Sequence, residues 1–257
     1  MYALSRSTAV EAKLFMREPL TVAFTLALPL LFLFVMGGVF GNKADPQYYR
    51  GAGALDYYVP AYCGLVWTAV GLLALPVHLA RYREDGVLRR LRASAARPSV
   101  VLGAQLLVTF LISLVGSALM IAMAALAYHI HAPRSLAGFF GAWLLCGALF
   151  SALGVLLASI PSSRGALSAG LGLFFMMMLL AGAGPPPEVL TGAMHWVSNL
   201  LPLTYMLRLL QDPWLGLPWS LTDTAVVAAF TLGAGTGSVL AGSARYCRKI
   251  RAMDAAW

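Results

Sequence analysis

The sequence predicts an all-α integral membrane protein. It should have six transmembrane helices, an N-terminal amphipathic helix at the interface, and short re-entrant helices between spans five and six. Three observations predict this. Hydrophobic residues make up 60% of the 257-residue chain and charged residues 11%, with mean hydropathy +0.78; a soluble domain carries roughly 25% charge. The apolar residues gather into six runs, and about 20 such residues cross a bilayer as a helix. The charges between the runs are unevenly shared, as the bias of cytoplasmic loops toward Lys and Arg requires. The whole chain, 1–257, reads as one transmembrane domain.

The first element is the stretch 5–18. Val10, Leu14 and Phe15 share one helical face, while Arg6, Lys13 and Arg17 offer positive charge to anionic headgroups. Pro19 ends or kinks this helix before the first span. No cleavable signal is expected, because the apolar run that follows is too long for one and no small-residue cleavage site comes after it. The spans are predicted at Leu20–Phe40, Tyr57–Ala80, Val100–Tyr128, Leu136–Ser159, Ala166–Ala183 and Thr222–Gly242. The third is longer than a bilayer needs and must tilt, bend or protrude.

With both termini placed in the cytoplasm, fourteen of the eighteen Lys and Arg fall on the cytoplasmic side. This predicts a multi-pass protein of the cell's inner membrane and puts the loop 81–98 inside. The same bias accounts for the net charge of +8 and pI near 9.7 without a nucleic-acid partner. Between spans five and six, 184–221 falls on the outside yet is apolar and rich in Pro and Trp, so it is predicted to dip back as short broken helices. Trp196, Trp214 and Trp219 are expected in the interfacial belt. Cys63, Cys146 and Cys247 show no C-x-x-C or metal spacing and are expected to pack.

Function is bounded by what the spans lack. They contain essentially no Asp, Glu, Lys or Arg, and His78 is the one ionisable side chain well inside one. An ion-coupled carrier generally needs an intramembrane charge. No G-x-x-x-x-G-K-[ST] occurs, so ATP hydrolysis is not expected in this chain. No catalytic or metal constellation is visible: His129 and His131 lie in a short outside loop and are expected to have no carboxylate nearby, and H-E-x-x-H is absent. Energy for uphill movement would have to come from a partner.

Two groups of residues suit a substrate path. Gln105, Thr109, Ser113 and Ser117 recur every fourth residue and form one polar stripe on span three. Interhelical hydrogen bonding and the wet wall of a path both explain it. In "FFMMM", Phe174, Phe175 and Met177 offer adaptable apolar surface to a lipophilic cavity or to packing. Small residues at Gly37/Gly41 and at Gly233/Gly237/Ala241 allow close helix approach.

The loop "RYREDGVLRRLRASAARP" holds eight charged side chains. Within it Val87, Leu88, Leu91 and Ala95 share a helical face, Arg89 lies off that face, and Glu84 and Asp85 precede it where carboxylates suit a helix dipole. Topology explains the arginines; a short helix docking on a cytoplasmic partner explains the apolar face as well.

These features together resemble the membrane subunit of an ATP-binding-cassette type-2 exporter. The resemblance rests on Arg17-Glu18-Pro19 ending the N-terminal helix, Pro29 in the first span, "REDGVLRRLRAS" after span two, and "PPPEVL" followed by "HWVSNLLPLTYMLRLL" before the last span. The proline after the basic loop comes late, at Pro98. The resemblance implies a half-transporter that pairs with a second permease and binds a separate ATPase, which alone holds ATP and magnesium. It implies that Arg83, Glu84, Asp85, Gly86, Val87, Leu88, Arg89 and Leu91 form a coupling helix that acts with Arg17 and Glu18. Pro186, Pro187, Glu188, Pro202 and Tyr205 would belong to an outer gate. The expected cargo is lipophilic or amphipathic: a drug, an antibiotic or a lipid-like molecule. A stand-alone carrier or channel is the alternative.

Overall fold

A computed structural model describes residues 22–43, 48–86, 98–128, 130–186, 190 and 192–254, excepting the side chains of 98–101 and 241–254. The N-terminal amphipathic stretch lies outside the described residues. Eight helices are labelled here: α1 (Ala23–Phe40), α2 (Ala54–Glu84), α3 (Pro98–Tyr128), α4 (Leu136–Leu157), α5 (Ser163–Leu180), α6 (Ala193–Ser198), α7 (Pro202–Leu215) and α8 (Leu221–Asp254). Six of them, α1 to α5 and α8, are long and apolar enough to cross a membrane. The span ends shift by a few residues from their predicted places, and α2 begins early enough to include Asp56.

α2 is the axis of the bundle. Residues 53–78 are buried without interruption, and α1, α3, α4, α5 and α7 all pack against it. In a membrane an apolar helix face can meet protein or lipid, so α2 is enclosed by the arrangement of its neighbours and not by its composition. Its neighbours instead leave apolar faces outward, such as Leu31 and Val39 on α1 and Leu232 and Val239 on α8. α8 rests on α4 and α7.

Prolines shape two of the helices. α1 opens with a π-helical turn over Ala23–Ala27, and α2 carries another over Val70–Ala74. Pro29 and Pro76 follow these turns directly. A proline has no N–H to donate, and its ring collides with the carbonyl four residues back. Widening the turn relieves that collision while the helix continues. The carbonyl that Pro76 leaves behind belongs to Leu72, and Gly170 of α5 packs on it so closely that a Cβ there would overlap the oxygen. Gly154 of α4 sits in the same way on the carbonyl of Gly71.

Asn42, at the end of α1, staples that helix to the start of α2. Its Oδ1 accepts the backbone N–H of Asp56 at 3.1 Å and its Nδ2 donates to Asp56 Oδ2 at 3.2 Å. One side chain thereby caps a free amide of α2 from another helix.

The segment after α5 holds α6 and α7. α7 runs antiparallel to α2, with Gln211 Nε2 donating to the Tyr57 carbonyl at 3.3 Å and Leu207 and Leu210 against Gly64. Its N-terminal end therefore lies deeper in the bundle than its C-terminal end. Most of α7 is buried. Trp214 is buried against Phe139, ring centroids 5.2 Å apart. Its carbonyl accepts the Arg134 N–H at 3.3 Å, level with the start of α4. Trp196 and Trp219 are exposed. Cys63 and Cys146 are buried, free thiols.

Candidate functional site

The loop's entry is built by the end of α2. Asp85 N–H donates to the Arg81 carbonyl at 2.8 Å and Gly86 N–H to that of Arg83 at 3.2 Å. Gly86 adopts φ +66°, a left-handed conformation that ends a helix at little cost for glycine. Arg83 donates from Nη2 to the Ile160 carbonyl at 3.2 Å, and Glu84 Oε1 accepts the Ser163 N–H at 2.8 Å. Two of the predicted coupling residues thus hold the turn between α4 and α5. Val87, Leu88, Arg89, Leu91, Arg17 and Glu18 lie outside the described residues.

The polar stripe of α3 turns inward, and all four of its residues are buried. Gln105 Nε2 lies 3.3 Å from His78 Nδ1 of α2, Thr109 donates to the Gln105 carbonyl at 2.9 Å, and Trp143 Nε1 of α4 donates to Ser117 Oγ at 2.9 Å. Gln105 Oε1 and Ser113 Oγ are buried with no hydrogen-bond partner among the described residues. His78 is thereby placed beside the stripe, a pairing that its sequence position does not announce.

A cavity of about 760 Å³ opens between α1, the start of α2 and the end of α5. Phe32, Met36 and Phe40 form one wall; Tyr58, Met178 and Leu179 face them, with Tyr49 and Pro186 toward the predicted outer end. Among the described residues Lys43 is the one charged residue in its lining. Volume and aromatic lining match a site for a small apolar molecule. The predicted path residues Phe174, Phe175 and Met177 are not in its lining; Phe174 and Phe175 are edge-on to Phe24 at 5.8 and 5.6 Å. Met178 and Leu179, one turn further along α5 than Phe174 and Phe175, form the wall itself. Of the predicted gate, Pro202 opens α7, and the Tyr205 hydroxyl donates to the Asn199 carbonyl at 2.6 Å, fixing the turn from α6. Pro186 lies in the cavity wall; Pro187 and Glu188 fall outside the described residues.

Two side-chain pairings at the predicted outer end are not visible in the sequence. His131 lies 75 positions from Asp56, yet its Nδ1 is 2.7 Å from Asp56 Oδ2 and its N–H donates to Oδ1 at 2.9 Å. The expectation that His131 has no carboxylate beside it is therefore corrected: the loop 130–135 folds over the start of α2. Arg50 Nη2 lies 2.8 Å from Asp212 Oδ1, a carboxylate on α7 that is 1% exposed. Arg50, Asp56 and His131 line a second cavity of about 570 Å³ together with Arg134. The local signal is backbone strain: Tyr49 and Arg50 both have φ near +55° to +60°, which costs a non-glycine residue roughly 1–2 kcal/mol. That strain aims the Tyr49 ring into the aromatic cavity and the Arg50 guanidinium onto Asp212.

Among the described residues no group of three or more His, Cys, Asp or Glu is placed to hold a metal ion. The family model for ABC-2 type transporters matches residues 2–213. No curated protein matches the chain.

Proposed function

The chain belongs to the ABC-2 type transporter family, and on that premise we propose that it is the permease subunit of an ATP-driven exporter. In this reading a separate ATPase binds the loop 81–98 and the N-terminal helix from the cytoplasm, hydrolyses ATP with magnesium, and drives a lipophilic or amphipathic molecule outward. Two permeases pair, each with an ATPase, in the cell's inner membrane with both termini inside.

The observation that carries the cargo class is the aromatic cavity between α1, α2 and α5, with one lysine at its rim. Such a lining favours apolar surface and offers a bare ion little to replace its water. The α3 stripe holds α3 against α2 and α4, and the path for cargo runs along the cavity. The described gate residues Pro186, Pro202 and Tyr205 stand at the cavity and at the re-entrant turn behind it.

The test is nucleotide-dependent movement of a fluorescent phospholipid analogue, or of a lipophilic dye, in inside-out vesicles holding the chain and its co-expressed ATPase. Movement should require ATP. Replacing Leu88 and Leu91 together by Asp puts two charges on the apolar face of the loop. The double variant should still insert but lose the ATPase on purification and lose movement by tenfold or more. An undiminished ATPase yield would remove the docking claim.

One observation favours the alternative, a stand-alone carrier: Asp56 and Asp212 are buried carboxylates at the outer end. Both already have partners, Asn42 and His131 for one and Arg50 for the other. Movement driven by a proton gradient in nucleotide-free vesicles would decide for the carrier.

A further inference from the structure

α2 is joined at three heights to α5 and to the segment that follows it. Next to the loop, Glu84 Oε1 accepts the Ser163 N–H at 2.8 Å. At mid-height Gly170 rests on the Leu72 carbonyl. Beside the cavity the Tyr58 hydroxyl donates to the Gly184 carbonyl at 2.8 Å, and this bond is buried. α1 meets α5 through Phe24, and the aromatic cavity opens between them.

Glu84 is the joint that stands out chemically. It is the last residue of α2, and a helix C-terminus is the wrong end for a carboxylate, because the last carbonyls carry partial negative charge. The same position faces the N-terminus of α5, where free N–H groups carry partial positive charge. Ser162 Oγ caps the neighbouring amide of Gly165 at 3.0 Å, so Glu84 and Ser162 share the free amides of that end. Glu84 is misplaced for its own helix and well placed for the next one. Two residues later the chain leaves α2 at Gly86 and enters the loop.

We propose that Glu84 ties α5 to the end of α2, so that displacement of the loop after Gly86 moves α2 and α5 as one body against α1 and changes the width of the cavity. This rests on the exporter reading for the origin of the displacement. Glu84 acts here as a positioning residue within its own chain. α5 suits the transmission: it has no internal proline and, at about 1.5 Å per residue, its 18 residues reach from the tie to the cavity wall at Met178 and Leu179.

Two measurements test this, on Glu84→Ala and Glu84→Gln. The first is hydrogen exchange over 162–166 in the permease alone, reconstituted in lipid nanodiscs. Ala should speed exchange there, while Gln keeps an acceptor oxygen and should restore protection. The second uses the permease with its ATPase. In a Cys247→Ser background, the rate at which a membrane-impermeant maleimide labels Met178→Cys is compared without nucleotide and with ATP plus vanadate. The parent should show a nucleotide-dependent change, Ala should lose it, and Gln should recover it. The Leu88/Leu91 double variant should lose the change but keep parental exchange over 162–166, which separates docking from the tie. Parental exchange in Glu84→Ala overturns the tie, including where that variant sheds the ATPase. Fast exchange with an intact labelling response overturns the transmission. A parent without any nucleotide response overturns the exporter reading and the transmission with it, and exchange alone then decides the tie.

Discussion

Asp212 is a buried carboxylate in a protein with few charged residues, and among the described residues its side chain is held by one partner, Arg50. Leaving such a carboxylate alone after removing the partner costs about 3 kcal/mol or more, whereas removing both members is often nearly neutral. Arg50→Met should therefore lower the thermal unfolding temperature in detergent by several degrees. Arg50→Met combined with Asp212→Leu should recover most of that loss. An Arg50→Met variant as stable as the parent would show that the strained turn at Tyr49–Gly51 is held by its aromatic contacts alone. At this scale the sequence is only half legible. The four-residue spacing shows that Gln105, Thr109, Ser113 and Ser117 share a face. It does not show that His78 and Trp143 come from α2 and α4 to meet it. Nor does it show that Arg50 finds Asp212. Spacing along a helix reports which residues face together, and a pairing across the fold depends on where other helices lie.

The elements were more legible, because the bilayer fixes their length and composition. Six spans follow from six apolar runs, and the Pro- and Trp-rich stretch between spans five and six forms two short helices. The glycines were harder. Of the small-residue patterns, Gly37 packs on the Tyr128 ring of α3 and Gly237 meets Leu156 of α4, while Gly41 and Gly233 face open space. Other close approaches fall outside those patterns: Gly154 and Gly170 against the widened turn of α2, and Gly147 against Trp67. Small residues permit close approach only where a helix stands opposite, and the partners of a helix are not written in its own sequence. Gly170→Leu and Gly154→Leu should each destabilise the fold by at least the roughly 1–3 kcal/mol of an overpacked core, since the obstacle is backbone that cannot rotate away. Gly172→Leu, on the open side of α5, should change the unfolding temperature by a degree or less. A Gly170→Leu variant as stable as Gly172→Leu would show that the approach to the Leu72 carbonyl does not constrain the packing.

For the molecule as a whole, hydropathy sorts membrane from water but does not sort centre from rim. α3 is more apolar than α2, yet α2 is the enclosed helix and α3 shows lipid much of its surface. Lipid is as apolar as a protein core, so burial in a membrane leaves no mark on mean composition. Orientation has a separate signal, the unequal share of Lys and Arg, and it makes a prediction about the molecule in its membrane. Arg164 stands at the exposed start of α5, while Met194 and Trp219 stand exposed on the segments between α5 and α8. The charge bias puts Arg164 in the cytoplasm and the other two outside. In a Cys247→Ser background, a membrane-impermeant maleimide added to intact cells should label Met194→Cys and Trp219→Cys and leave Arg164→Cys unlabelled until the membrane is opened. The reverse pattern would turn the bundle over. Glu84 and the loop would then face away from any cytoplasmic ATPase, and the exporter reading would fall even though every helix kept its place.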